Sequence, residues 1–488
     1  MNAHLEQLAP RPLWRHFRTL CDTPRPSGHE AALVAHLEAW AEGLGLSHDR
    51  DAFGNLRIRK PASPGHEKAP GVILQGHLDM VAQANAEHPH DFTRDPIATY
   101  VEDGWLKARN TTLGADNGMG VAAALAILED DSLVHGPLEA LFTLEEESSM
   151  GGALNLAEGW LEGEVLLNLD SEDRGQVYIG CAGGADVVVE AQLPTGEVGE
   201  DETPMRLALT GLTGGHSGID IDKGRGNANR LLVRALRCLG NFDARLIDYH
   251  GGTLRNALPR EAFATLALPV EEVDAARARL TALETTLRDE LAGVDDGLRL
   301  TLEPGDTEGA QALTRDASRL LVNALHAAPC GVERMSTAVP GVVETSNNLG
   351  VVSLEGGRFH LCALVRSLRD SARADIADRF RALFELIGAR TRVEGAYPGW
   401  APVPESPLLA RFCTLHRDRL GVDPAIKVIH AGLECGILGA KYPDLSMISF
   451  GPLIRGAHSP DERVEIDSVS EFWDMLRALV EDLASPVA

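Results

Sequence analysis

The sequence predicts an α/β protein whose covered sheet is interrupted by an inserted α+β unit. Three observations lead there. First, short apolar runs such as Val72-Ile73-Leu74, 140–144 and 165–169 alternate with a buried helical pattern over 118–128, as strands covered on both faces require. Second, the pattern changes after Gly183-Gly184 to the order β-α-β-β-α-β, the split βαβ arrangement also called ferredoxin-like. Third, α/β character resumes beyond the proline-rich stretch 397–407. At 488 residues the chain exceeds one ordinary domain. The expectation is a discontinuous first domain over residues 1–185 and 401–488, with residues 186–400 inserted.

In chain order, Ser27-Gly28-His29-Glu30 reads as a capping box opening a helix, which Leu33, Leu37, Trp40 and Leu44 continue on one face and Gly43 and Gly45 end. The strands and helix of the first domain follow as above. In the insert, strands fall at 205–212, 244–249, 262–268 and 298–302, with helices at 227–239 and 273–291. The second helix shows one stripe of Ala276, Leu280, Leu283, Leu287 and Leu291. A hairpin of 351–354 and 359–365 turns at Gly356-Gly357. A helix after Asp370 and a strand near Thr391-Arg392-Val393 complete a second, partial unit of similar kind. Strands at 425–429 and 445–449 return to the first domain.

Composition narrows the function classes. Apolar residues make up 44%, which suits a globular core, and the net charge of −27 is spread along the chain. That balance argues against nucleic acid and anionic membrane surfaces as partners. The N-terminus shows no secretory pattern, and the longest apolar run, 119–128, is too short to span a bilayer. Seven cysteines without a C-x-x-C pair point to reduced thiols in a cytoplasmic protein.

Five residues of metal-binding types sit at strand ends or turns: His77, Asp116, Glu147, Asp170 and His458. Two histidines and three carboxylates suffice for a pair of divalent ions if one carboxylate bridges them. In GVILQGHLDMV, a strand ends in His77, and Asp79, two residues on, can lie beside the imidazole and set its tautomer. Alone, the same pair reads as a surface hydrogen bond. In LGADNGMG, Asp116 occupies a glycine-rich turn before a helix. It reads as a bridging carboxylate or as a helix N-cap. Gly118-x-Gly120-x-x-Ala123 also fits a dinucleotide fingerprint, hence an NAD-dependent oxidoreductase, although Asp116 would repel a pyrophosphate.

FTLEEESSMGGA ends a strand in three glutamates. One can ligate a metal while its neighbour serves as general base, or all three form a solvated acidic loop. LLNLDSED presents Asp170, and GAHSPDERVEI presents His458 ahead of the last helix, each also readable as a polar loop. All these motifs would meet at one sheet edge, where α/β folds build sites. In GLTGGHSG, His216 has neighbours too small and polar for a core histidine. It reads as a mobile donor to an oxyanion or an ordinary turn histidine. His88-Pro89-His90-Asp91 reads as a surface loop.

Taken together, the H-x-D strand end, the Gly-x-Asp-Asn-Gly turn, the glutamate pair, the strand-end aspartate and His-Ser-Pro-x-Glu resemble the co-catalytic zinc peptidases of the aminoacylase and carboxypeptidase type. The resemblance covers essentially the whole chain. GCAGG (180–184), GGHSGIDI (214–221), RNALPREA (255–262) and HAGLECG (430–436) are most similar to a dipeptidase branch of that family acting on Xaa-His substrates. The resemblance implies a zinc-exopeptidase-like catalytic domain with an inserted lid and dimerisation domain, in a homodimer. It implies two zinc ions per chain, with cobalt or manganese as substitutes. Asp116 would bridge them, His77 and Asp170 would complete one site, and Glu147 and His458 the other. Asp79 would orient His77, and Glu146 would be the general base. His216 would reach the oxyanion, in the family often from a partner subunit. Asn256 and Arg366 would hold the substrate's C-terminal end. Ser149 stands where the family usually has glycine, and the triplet Glu145-Glu146-Glu147 leaves the register open by one. The pair Glu146 and Glu147 places Gly152-Ala153 at the family's spacing. A tripeptidase or an N-acyl amino acid deacylase is the nearest alternative to a dipeptidase.

Overall fold

Val72, Ile73 and Leu74 are almost completely buried, as a strand covered on both faces demands. In the computed structural model, which describes residues 2–305 and 311–485, they open the strand Val72–His77. This strand lies in an eight-stranded sheet of order Ser47–Arg50, Leu56–Lys60, Leu138–Thr143, Val72–His77, Val165–Asn168, Ser446–Ser449, Gln176–Cys181, Ala425–Ile429. The four middle strands, 138–143, 72–77, 165–168 and 446–449, run parallel, so their C-terminal ends share one edge. The helix Ala115–Glu129 is apolar on every side and buried along nearly its whole length. It starts earlier than the apolar pattern suggests, and Asp116 and Asn117 depart from helical dihedrals within its first turn.

By contacts the chain forms two units. One is Met1–Gly180 with Pro402–Val428 and Leu433–Ala488, and the other is Cys181–Ala401 with Ile429–Gly432. The second unit is built on a nine-stranded sheet. Its strands Glu202–Thr210, Arg245–Gly251, Ala262–Pro269 and Arg299–Pro304 lie in spatial order fourth, first, third, second. Helices Ala228–Cys238 and Val273–Glu290 make the two crossovers, which is the split βαβ fold the alternation predicts. The second split unit, partial by sequence, is complete. Gly183–Gln192, helix Arg315–Ala327, Val343–Glu355, Arg358–Ser367, helix Asp370–Glu385 and Arg390–Tyr397 repeat the same order in mirror sequence along the sheet. The two repeats join where 249–251 pairs with 352–354.

Two expectations are corrected. The strand ending at Glu355 begins at Val343, eight residues before its apolar signal. Glu344, Thr345, Ser346, Asn347 and Asn348 are buried in it, so a reading by hydrophobicity misses that half. The helix Ala31–Gly43 has no side-chain cap, and Leu44 is exposed while Val34 and Ala41 share the buried face with Leu33 and Leu37. The supposed capping box has another use: the Ser27 hydroxyl donates to Asp79 Oδ2 (2.6 Å), and Glu30 Oε1 accepts the Glu145 N–H (3.0 Å).

Candidate metal centre

His77 ends its strand buried, with Nδ1 facing the Asp79 carbonyl at 3.2 Å and Asp79 Oδ1 at 3.3 Å. A proton on Nδ1 satisfies that side and leaves Nε2 as a lone pair. Nε2 faces two carboxylate oxygens, Asp116 Oδ1 at 3.1 Å and Asp170 Oδ1 at 3.3 Å. Three electron-rich atoms pointed at one spot suit a cation. Asp79 also receives the N–H groups of Glu146 (3.0 Å) and Glu147 (3.1 Å), one on each oxygen. The same carboxylate therefore orients His77 and caps the short turn Glu146–Ser149. Burial opposes its ionisation, but the bonds from His77, Ser27 and Glu146 win and hold Asp79 down to about 2.

The other oxygen of Asp116 faces a different histidine. His458 Nε2 lies 3.2 Å from Asp116 Oδ2 and 3.0 Å from Glu147 Oε2. His458 adopts a left-handed backbone (φ 63°) in the turn after Gly456 and remains half exposed to solvent. Ligand-type atoms of His77, Asp116 and Asp170, of His77, Glu146 and Glu147, and of Asp116, Glu147 and His458 each converge within 4.8 Å. Glu145 joins none of these groups; its backbone is left-handed.

Glu462, four residues after His458, fixes the Asp116 turn. Its two buried oxygens accept the N–H groups of Leu113 (2.7 Å), Gly114 (2.9 Å), Ala115 (2.8 Å) and Asp116 (3.2 Å). Below the turn, buried Arg25 donates to the carbonyls of Leu78, Asp79 and Gly114. Gly114 is left-handed, and a Cβ there would meet the Arg25 guanidinium at 2.5 Å. These contacts answer the dinucleotide reading. Gly118 and Gly120 lie inside the helix and not in a loop ahead of it, and the N–H groups that open the helix are taken by Glu462. Gly120 is required because a Cβ would lie 2.3 Å from the Leu169 carbonyl.

The donor set fits divalent metal ions. Glu147 Oε1 and Asp170 Oδ1 are buried without a hydrogen bond. Burial and neighbouring carboxylates push Asp170 up to about 7 and Glu172 up to about 8, and Glu146 well above the usual carboxylate range. Both histidines are raised as well: hydrogen bonds to Asp116 and Glu147 lift His458 to about 11, and against burial the charge of Asp170 and the bonds to Asp116, Asp170 and Asp79 lift His77. This is a cluster of negative charge short of cations.

A second cluster lies in the other unit. His216 forms a two-residue bridge with 257–258. Its Nδ1 accepts the N–H groups of Gly218 (3.2 Å) and Ile219 (3.0 Å). The neutral ring therefore carries its proton on Nε2. Burial, then the charge of Arg366, lowers the His216 pKa. Arg366 is nearly buried; its Nη1 donates to the Tyr397 hydroxyl (3.2 Å), and its Nε has no partner. Nearby His430 bonds Ser346 Oγ at 2.7 Å and is pushed down to about 3 by burial and Arg366. Asn256 is exposed, and its carbonyl accepts the Ser217 N–H (2.9 Å).

Sequence reasoning assigned no role to Arg25, Glu172, Glu434 or Glu462, and gave Ser27 and Glu30 only that of a helix cap. Glu434 and Glu462 lay inside quoted motifs, but the partners that give them meaning are far away in the chain.

Parallel strand ends that gather two histidines and a ring of carboxylates define a class, the metal-dependent α/β hydrolases. The chain belongs to peptidase family M20/M25/M40, whose model matches residues 73–482. It is 45% identical over 482 residues to the cytosol non-specific dipeptidase of Escherichia coli, covering 99% of each chain. It is 44% identical to the aminoacylhistidine dipeptidase structure from Vibrio alginolyticus, with TM-score 0.93 over 99% of this chain and 98% of that one. The aminopeptidase PepT structure from Bacillus cereus shares the fold, with TM-score 0.56 and 16% identity over 98% of this chain and 100% of that one. The chain is a peptide-bond hydrolase.

Proposed function

We propose a cytoplasmic dizinc dipeptidase that cleaves Xaa-His dipeptides. The observation that carries this reading is the split allegiance of Asp116, with one oxygen toward His77 and the other toward His458. His77, Asp116 and Asp170 would hold one ion, and Asp116, Glu147 and His458 the other. Bound there, the ions supply Lewis acidity, polarising the scissile carbonyl and easing deprotonation of water near neutral pH.

The chain's own groups do the rest. Glu146, its carboxyl raised chiefly by burial, takes the proton of the attacking water and delivers it to the leaving amine. Asp79 keeps His77 in one tautomer and holds the backbone of Glu146 in place. His216 donates its Nε2–H to the carbonyl oxygen as negative charge develops there. Being neutral, it donates without adding a cation to the site. Arg366 and Asn256 hold the C-terminal carboxylate of the substrate. The second unit acts as lid and dimerisation domain in a homodimer, with His216 serving the neighbouring subunit's substrate.

Two relatives at similar identity carry the names of a non-specific dipeptidase and an aminoacylhistidine dipeptidase, so Xaa-His dipeptides are the first substrates to try. No helix among the described residues is long and apolar enough to cross a membrane. The test is metal analysis with hydrolysis assays on Xaa-His dipeptides, tripeptides and N-acyl amino acids, repeated with Glu146→Ala. Two zinc ions per chain, preferred cleavage of the dipeptides and loss of activity in the variant are expected. Turnover of acyl amino acids alone would defeat the dipeptidase reading, and full activity of Glu146→Ala would defeat the assigned base.

A further inference from the structure

A row of polar side chains crosses the middle of the eight-stranded sheet just beneath the metal centre. Ser449, Asn168 and Gln75 are lateral neighbours on three adjacent parallel strands, and all three are fully buried. Polar groups there must bond one another or cost stability. They bond in one direction. Ser171 and Ser449 share a hydroxyl bond of 2.6 Å, and Ser449 donates to Asn168 Oδ1. Asn168 Nδ2 donates to Gln75 Oε1 (2.5 Å), and Gln75 Nε2 donates to Glu434 Oε2 (2.6 Å). Thr143, which accepts a second bond from Gln75 Nε2, donates its own hydroxyl to the same Glu434 oxygen (2.7 Å).

Every donor in the row points toward Glu434, so the row ends on an oxygen that only accepts. The other oxygen, Oε1, is buried without a hydrogen-bond partner, and Glu434 is completely inaccessible to solvent. A buried carboxylate oxygen left open is costly until a cation or donor meets it. Glu434 Oε2 is held by Thr143, the strand partner of His77, and by Gln75, two residues before His77. Yet it belongs to none of the groups of converging ligand atoms found among the described residues. It is placed beside the reacting centre without being one of the metal-binding set.

We propose that Glu434 is the receptor for the α-ammonium group of the substrate, an inference that rests on the dipeptidase reading. In a dipeptide the ammonium sits on the carbon next to the scissile carbonyl, so a group that binds it must stand beside the metal centre, as Glu434 does. An N-acyl amino acid offers no cation at that point. Glu434 would thus separate peptides with a free N-terminus from acylated substrates.

The experiment uses the metal-loaded enzyme with Ala-His as substrate and propionyl-histidine, the same skeleton without the amine, as competitive inhibitor. Glu434→Gln should lower kcat/KM for Ala-His roughly 100-fold, as expected for removing one partner of a buried charge pair. The inhibition constant of propionyl-histidine and the bound metal content should stay at wild-type values. Glu434→Asp, which keeps the charge but shortens its reach, should show the same selective loss in milder form and serves if the glutamine variant does not fold. Equal losses toward both compounds, or loss of metal in either variant, would overturn the assignment. Failure of the wild-type enzyme to cleave Ala-His would instead defeat the dipeptidase reading beneath it.

Discussion

The strand-end cluster around Asp116 and the loop cluster around His216 are electrostatic opposites. In the first, Asp116, Glu146, Glu147, Asp170 and Glu172 crowd two imidazoles, and burial, then the charge of neighbouring carboxylates, forces several carboxyls upward in pKa. In the second, burial, then the charge of Arg366, depresses both His216 and His430, so the imidazoles stay neutral. One region is short of cations and the other offers N–H donors and a guanidinium with an open Nε. The lesson is a division of labour. The same residue type, histidine, turns Nε2 toward two carboxylates at position 77 and keeps a proton on Nε2 at position 216, according to what surrounds each ring.

The sharpest way to break this contrast is Asp116→Ala. It removes the oxygens facing both histidines, and activity should fall to background together with metal content measured by elemental analysis. Retention of both metals would remove Asp116 from the centre. Next, Glu146→Gln should lower kcat by about 10²- to 10⁴-fold while metal content stays unchanged, so a fall in bound metal would make Glu146 a ligand instead of a base. His216→Ala should cost about 10²- to 10³-fold in kcat, the effect of losing one oxyanion donor. Its metal content should equal that of the wild type, and a metal defect there would dissolve the contrast between the clusters. Smallest is Glu462→Gln, which sets an NH2 group against backbone N–H donors at the Asp116 turn. Metal affinity should weaken by about 10- to 100-fold, as for groups that orient ligands, and titration with excess metal should restore turnover. A deficit that excess metal does not repair would mean that Glu462 does more than hold the turn.

Much of this was legible before any coordinates. The apolar runs predicted the parallel strands, because burial on both faces leaves no room for alternation. The β-α-β-β-α-β order predicted the split unit. The polar stretch 343–350 escaped, since its buried Ser346, Asn347 and Asn348 look like loop residues until their partners are known. Ser27 and Glu30 were misread for a related reason. Their spacing satisfies a local cap, but the donors and acceptors they meet lie 52 and 115 residues away.

Residue order alone revealed the strands and helices that carry a hydrophobic period and the residue types able to bind metal at the strand ends, because side-chain period and residue type are local properties. Tertiary structure alone decided which oxygen of Asp116 faces which histidine, that Glu462 reaches back nearly 350 residues to grip the Asp116 turn, and that Glu434 is left with one open oxygen beside the centre. The reason is physical. Hydrogen bonds and charge interactions act over a few ångströms of space, and only the folded chain brings such distant residues within that range.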